Sequence, residues 1–327
     1  DASGLPISRF SRTDAENTLR TLAVQYHNEF KKTRDDATAQ MANEVYQDYL
    51  AVFPETHHAY EMRFFYAELL YALEKYERSG DEYTRVGLMD LRRIDPKNYP
   101  AEWKKSRGDE PIPKELPLSE KDKAAQAAAP QGQPPKAPKA GKHFVDALEG
   151  AVHSYDQVAK KFEETEKKST DPSKKMPIPK PKQSLLAATE RYLKYVPKGE
   201  KYVEAAYSAA NIYYRYNYFD EATKRFQDIA QNHPKHNLAG YSANLVLDTY
   251  NILNDWKLVN EWARKFYANA ELIKAHPELK DDLIKVIEES AFKLVEKYEK
   301  EKNYVKAAES YLTFVQEIEP KVKPLGH

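Results

Sequence analysis

The sequence predicts an all-α fold, a solenoid of about six helical hairpins interrupted by Pro/Lys-rich inserted loops. Three observations carry this reading. Small and aromatic residues recur at helical spacing along most of the chain, and the segments holding them contain almost no internal Pro or Gly. Thirteen of the 20 prolines fall in just two windows, residues 96–138 and 172–181.

Residues 1–96 read as about two degenerate hairpins. A first helix over 13–32 precedes a second marked by Ala42, Tyr46, Tyr49 and Pro54. The apolar run 58–76 then leads into Tyr76, Ser79 and Tyr83. Residues 97–141 read as one disordered insertion, because the mixture of Pro, Ala, Lys and Gln from Pro111 to Lys142 cannot bury a core. Within it, Lys121–Ala129 is compatible with a transient helical turn.

In residues 142–199, Phe144, Leu148, Val152, Tyr155 and Phe162 trace an apolar stripe at helical spacing. Its partner helix carries Ala188, Tyr192, Tyr195 and Pro197, so the Pro-rich loop 167–182 interrupts a hairpin between its own two helices.

The block 200–327 is the most regular. In the copy 203–236, Ala210, Tyr213, Phe219, Ala222, Phe226 and Pro234 alternate small and large residues, so that two helices can approach while aromatics fill the space around them. The copy 288–321 repeats the spacing at Tyr298, Tyr304, Ala307, Tyr311 and, one place late, Pro320. The copy 240–273 keeps Tyr250, Trp256 and Ala263 but has Val259 at the central small position. Residues 270–287 read as an extension of its second helix and a link to the last copy.

Composition narrows the function. The 51 Lys+Arg balance 51 Asp+Glu, which gives no global bias toward nucleic acid or an anionic membrane. No run approaches the ~20 apolar residues of a membrane-spanning helix. With no cysteine and only 10 glycines, thiolate catalysis and Cys-based metal sites are excluded, and phosphate-cradling glycine loops have little room. The pairs His57–His58 and His233/His236 fall at inter-repeat turns without a third ligand, and read as surface turn residues. Asp281–Asp282 and Glu288–Glu289 read as helix N-terminal acids. The loop lysines, among them Lys136, Lys139, Lys174 and Lys180, lack the interleaved aromatics of a nucleic-acid platform. No catalytic residue, metal site, cofactor or small-molecule substrate is expected.

The pattern Ala210, Tyr213, Phe219, Ala222, Phe226 and Pro234 resembles the tetratricopeptide repeat, with Ala206 where that family often has Trp. The resemblance implies a right-handed superhelix whose concave groove, lined by the first helix of each hairpin, binds a segment of another protein. It places Glu204, Tyr207, Asn211, Tyr214 and Arg215 in that groove. From the next copy come Tyr241, Asn244, Asp248, Asn251 and Ile252, and from the last Glu289, Phe292, Glu296, Glu299 and Lys300. Asn and Arg suit an extended backbone, Tyr gives contact area at low entropic cost, and the glutamates suit a basic segment. The lysines of the carboxylate-gripping subclass are missing. The same tyrosines could instead pack between adjacent hairpins.

The run 237–269 is similar to envelope-associated repeat proteins of myxobacteria, including adventurous gliding motility components. That resemblance implies a periplasmic or outer-membrane-associated scaffold, with the cytoplasm as the alternative. A second resemblance is to the lipoproteins of outer-membrane β-barrel assembly, from which the cysteine-free chain departs. The expected partners are envelope components or an extended peptide segment, bound in the groove. A structural assembly factor acting through its loops or convex face is the other expectation.

Overall fold

The structure is a computed structural model that describes residues 9–112, 139–163, 171–172 and 174–317. Among these residues every regular element is a helix, and successive helices pack in neighbouring pairs, as in a helical-repeat solenoid. The chain forms two compact units, one of residues 1–166 and 179–196, the other of residues 167–178 and 197–327.

The first unit opens with the hairpin α1 (Arg9–Thr33) and α2 (Asp36–Val52), followed by α3 (Ala59–Ala72) and α4 (Tyr76–Ile94). Asp35 caps α2 by accepting from the Thr38 amide at 2.7 Å. Ala42, Tyr46 and Tyr49 are fully buried against Met62, Tyr66 and Leu69, and Tyr46 stacks on Tyr66 with ring centroids 5.3 Å apart. Ser79 takes the small position of α4. Its hydroxyl is satisfied by the Ala67 carbonyl at 2.8 Å, so a polar group is accommodated where the hairpin closes.

After the insertion, α6 (Phe144–Glu163) packs along α4, and α7 (Lys180–Tyr195) packs on α6. Helix glycines make the α4–α6 contact close. A Cβ on Gly80 would stand 2.9–3.0 Å from the Tyr155 ring, and one on Gly150 would stand 2.7 Å from the Tyr83 ring. The Ser79 and Ser154 hydroxyls meet at 3.0 Å in the same seam.

The structure corrects the reading of 97–141 as one loop, because α5 (Tyr99–Arg107) occupies its start. Pro100 lies in the first turn, where its missing N–H costs nothing, and Tyr99 and Trp103 bury one face at i, i+4 spacing. The insertion returns at Gly141, whose amide donates to buried Asp90 at 2.7 Å, and Asp90 also accepts from Tyr60 at 2.7 Å. The Lys121–Ala129 turn lies outside the described residues. A second correction concerns the loop 167–182: α7 begins at Lys180 because Pro181 too is tolerated in a first turn.

The second unit contains α8 (Tyr202–Arg215), α9 (Phe219–Asn232), α10 (Asn237–Ile252) and α11 (Trp256–Ala268). These are followed by α12 (Ala270–Ala275), α13 (Leu279–Lys300) and α14 (Tyr304–Glu317). Residues Asp171 and Lys174 join this unit, since Asn217 donates to both carbonyls at 2.9 Å. Residues 270–287 do not extend α11. Asn269 breaks the chain by capping α12, Pro277 follows, and 279–287 runs continuously into α13 because Leu279, Leu283, Ile287 and Ala291 form one buried stripe.

One backbone device recurs. Glu74, Asn217, Asn254 and Lys302 adopt left-handed φ of 54–63° between the helices of their hairpins. At each, the amide bonds back three residues, and the following amide bonds back five, as Lys75 does to Leu70 at 2.9 Å and Tyr218 to Tyr213 at 2.8 Å. Each second helix then starts two residues after the left-handed residue, which puts Ser79, Ala222, Val259 and Ala307 in register.

Burial departs from register most in the last hairpin. Phe219 and Phe226 are at most 7% exposed, whereas Tyr304 and Tyr311 are 66% and 51% exposed. Helix α9 is covered by α10, and among the described residues no further hairpin covers α14.

Candidate functional site

Helix α10 is bound on one side by burial and left open on the other. Ala239, Gly240, Ala243, Val246 and Leu247 face inward. His236 caps the helix through the Leu238 amide at 3.2 Å, and Gly240 lets the His276 ring lie against the first turn. What remains outward is a stripe at i, i+3, i+7, i+10, namely Tyr241, Asn244, Asp248 and Asn251, all exposed.

Helix α11 packs against both α10 and α13. Asp255 caps it through Leu258 N at 3.1 Å, and Val259, Ala263 and Phe266 are buried. Asn260 fixes α13 by donating to the Ile287 carbonyl at 3.0 Å and the Ser290 hydroxyl at 2.9 Å. The space left between α10 and α13 is a cleft of about 490 Å³. Asn244, Asp248 and Asn251 form one wall, and Glu289, Phe292 and Lys293 the other. Leu247, Trp256, Val259, Val286 and Ser290 complete the lining.

The cleft therefore combines an apolar base with amide and carboxylate groups at its edges. Phe292 is 49% exposed, an aromatic surface facing the opening. Lys293 pairs with Glu296 at 3.3 Å, which leaves the Asp248 and Glu289 carboxylates as the charges facing a ligand. Tyr214 of α8 donates its hydroxyl proton to Asp248, tying the preceding hairpin to the wall. Burial first, and then the neighbouring Asp248 carboxylate, push the Tyr214 phenol above its ordinary range, so it stays protonated.

The sequence-predicted groove residues divide into three groups. Asn244, Asp248, Asn251, Glu289 and Phe292 meet in the cleft. Tyr207 and Tyr214 pack edge-on against Phe226, at centroid distances of 5.6 and 6.4 Å, so their rings chiefly close their own hairpin. Asn211 is half-buried on α8, Arg215 is exposed in its last turn, and Tyr241, 64% exposed, stands on the α10 stripe without lining the cleft. Trp256 and Val286 are additions. Trp256 holds the position that Phe219 buries in the preceding copy, and is half-buried at the cleft. The signal that could have found it is the extra stretch between Ala268 and Glu288, which lengthens the spacing to the next hairpin.

The histidines act locally. His58 precedes α3 and its Nδ1 contacts the Arg20 guanidinium, while His27 and His276, outside the two turn pairs, are buried. Among the described residues no three His, Asp or Glu side chains cluster to hold a metal ion, and no helix is long and apolar enough to cross a membrane. No protein-family model matches this chain, and no curated protein matches it significantly.

Proposed function

We propose that the chain is a non-enzymatic protein-interaction scaffold that holds an extended partner segment in the α10–α11–α13 cleft. The observation that carries this reading is the cleft's composition. Exposed asparagines line one wall, the carboxylates of Asp248 and Glu289 stand at the opening with Asp248 held by the Tyr214 hydroxyl, and an aromatic and aliphatic base lies beneath. Asn244 and Asn251 offer paired donors and acceptors suited to a backbone with no internal hydrogen bonds. Asp248 and Glu289 favour a Lys or Arg, and Trp256 with Phe292 favour a bulky apolar neighbour. Recurrent hairpins with the small-aromatic pattern support a tetratricopeptide-type solenoid as the framework. The likeness of 237–269 to gliding motility components supports a place in a bacterial envelope assembly, periplasmic or outer-membrane-associated.

Selection from a display library of unstructured peptides tests the reading. The wild-type chain is expected to enrich peptides that join a basic residue to a large apolar one. An Asn244→Ala, Asp248→Asn variant with unchanged circular dichroism is expected to enrich none of them. Equal enrichment by both proteins would remove the cleft from consideration and direct attention to the loops and the outer helix faces.

A further inference from the structure

In the first unit a separate, small polar cavity of about 50 Å³ lies among α4, α5, α6 and α7. Its lining includes three cations, Lys105, Lys180 and Arg191, and no carboxylate. Four hydroxyl-bearing residues, Thr84, Ser106, Tyr155 and Ser184, line the same space, of which Tyr155 donates to Asp81 and Ser106 to the Glu102 carbonyl.

Arg191 is 1% exposed, and a guanidinium is withdrawn from water at high cost unless it is compensated. Its compensation is partial. One nitrogen donates to Ser106 Oγ, while Nε lies 3.4 Å from Glu102 Oε2 without a hydrogen bond. Glu102 also serves Lys194 at 3.3 Å, so one carboxylate is divided between two cations. Thr84 is 2% exposed, and beside the Tyr155 phenol its hydroxyl makes no hydrogen bond of normal geometry. A buried hydroxyl at a cavity wall is kept at a cost unless a ligand or water completes it.

The entry to α7 adds to the imbalance. Its N-cap is Pro179, with no side chain satisfying the first amides, and its first turn contains Lys180 and Lys182 but no acid. Cations at the positive end of a helix are unfavourable there, and an anion reverses the sign of that interaction. Water would satisfy Thr84, but it brings no negative charge to the three cations of the lining.

We propose that this cavity binds one tetrahedral oxyanion of the phosphate class, held by Arg191 and Thr84 at its base and by Lys105 and Lys180 at its rim. The volume admits a phosphoryl group alone and is far below the roughly 300–1,000 Å³ of sites that enclose a whole small molecule. The ion is either free inorganic phosphate or the phosphate of a phosphoserine carried on another chain. The proposal is independent of the cleft in the second unit.

Isothermal titration of the full chain, at constant ionic strength and in phosphate-free buffer, tests it with inorganic phosphate, phosphoserine peptide and chloride as separate arms. Saturable one-to-one binding of phosphate, at least tenfold tighter than chloride, is expected. Lys105 and Lys180 are exposed, so a Lys105→Gln, Lys180→Gln variant keeps the fold and is expected to weaken phosphate binding at least tenfold. Tighter binding of the peptide than of inorganic phosphate assigns the site to a phosphorylated partner, and the reverse assigns it to the free ion. Indistinguishable heats for phosphate and chloride, or undiminished phosphate binding by the variant, would overturn the proposal.

Discussion

Replacing Gly80 by Ala isolates the packing logic of the first unit, because helix propensity and tertiary contact predict opposite signs. In a helix open to solvent the change stabilises by about 1 kcal/mol, since Ala loses less backbone entropy. At Gly80 the added methyl would lie 2.9–3.0 Å from three carbons of the Tyr155 ring. That ring is 7% exposed and its hydroxyl donates to Asp81 at 2.7 Å, so it cannot withdraw without losing a hydrogen bond. Overpacking of this kind costs roughly 1–3 kcal/mol, and subtracting the propensity gain leaves a net loss of about 1 kcal/mol. Urea unfolding followed by circular dichroism measures it as a fall in the midpoint of the first unit's transition at constant slope. In a Tyr155→Leu background the obstacle is gone, and the same Gly80→Ala change is expected to stabilise. An increase in stability on Gly80→Ala in the wild-type background would refute the close α4–α6 contact.

Three further outcomes rest on the same kind of local packing and hydrogen bonding. Glu74→Gly relieves a left-handed φ of 55° and is expected to stabilise by about 0.5–1 kcal/mol, whereas Asn217→Gly is expected to destabilise because it removes two 2.9 Å hydrogen bonds; thermal unfolding compares the pair. His27 is buried beside Tyr46, and burial, then Lys31, hold its pKa down at about 4. Because the folded value lies below the unfolded one of about 6.5, its contribution is present above pH 6.5 and lost as the pH falls toward 4. The loss is at most about 3 kcal/mol, and urea midpoints from pH 7 to 4 should show a flatter acid limb for His27→Gln. Ala222→Leu, at a fully buried helix contact, is expected to cost roughly 1–3 kcal/mol, while Asn244→Ala on the open stripe leaves melting within about 0.5 kcal/mol.

The hairpins were readable in the sequence because their register is local. Tyr213, Phe219, Ala222 and Phe226 lie within one short segment, and the spacing alone fixes which side chains meet. The left-handed turns were not, since Glu74 and Lys302 occupy positions where Gly would have announced them. Helix α5 was hidden by neighbouring prolines, although Tyr99 and Trp103 carry its buried face. The glycines of α4 and α6 gain meaning only from a contact made across the long insertion, so nothing adjacent in sequence pointed to Gly80 or Gly150. At the cleft, Asn244, Asp248 and Asn251 followed from the period of one exposed stripe. Trp256 did not, because its exposure arises from the spacing between two hairpins and not from its own helix.

The most direct test of the scaffold account is the dissociation constant of a display-selected peptide for three full-length proteins. These are the wild type, the Asn244→Ala, Asp248→Asn variant, and a Lys257→Ala, Glu261→Ala variant altered at exposed α11 positions outside the cleft. The account predicts at least tenfold weaker binding for the first variant and no change for the second. Undiminished affinity in the cleft variant, or a loss confined to the α11 variant, would contradict it.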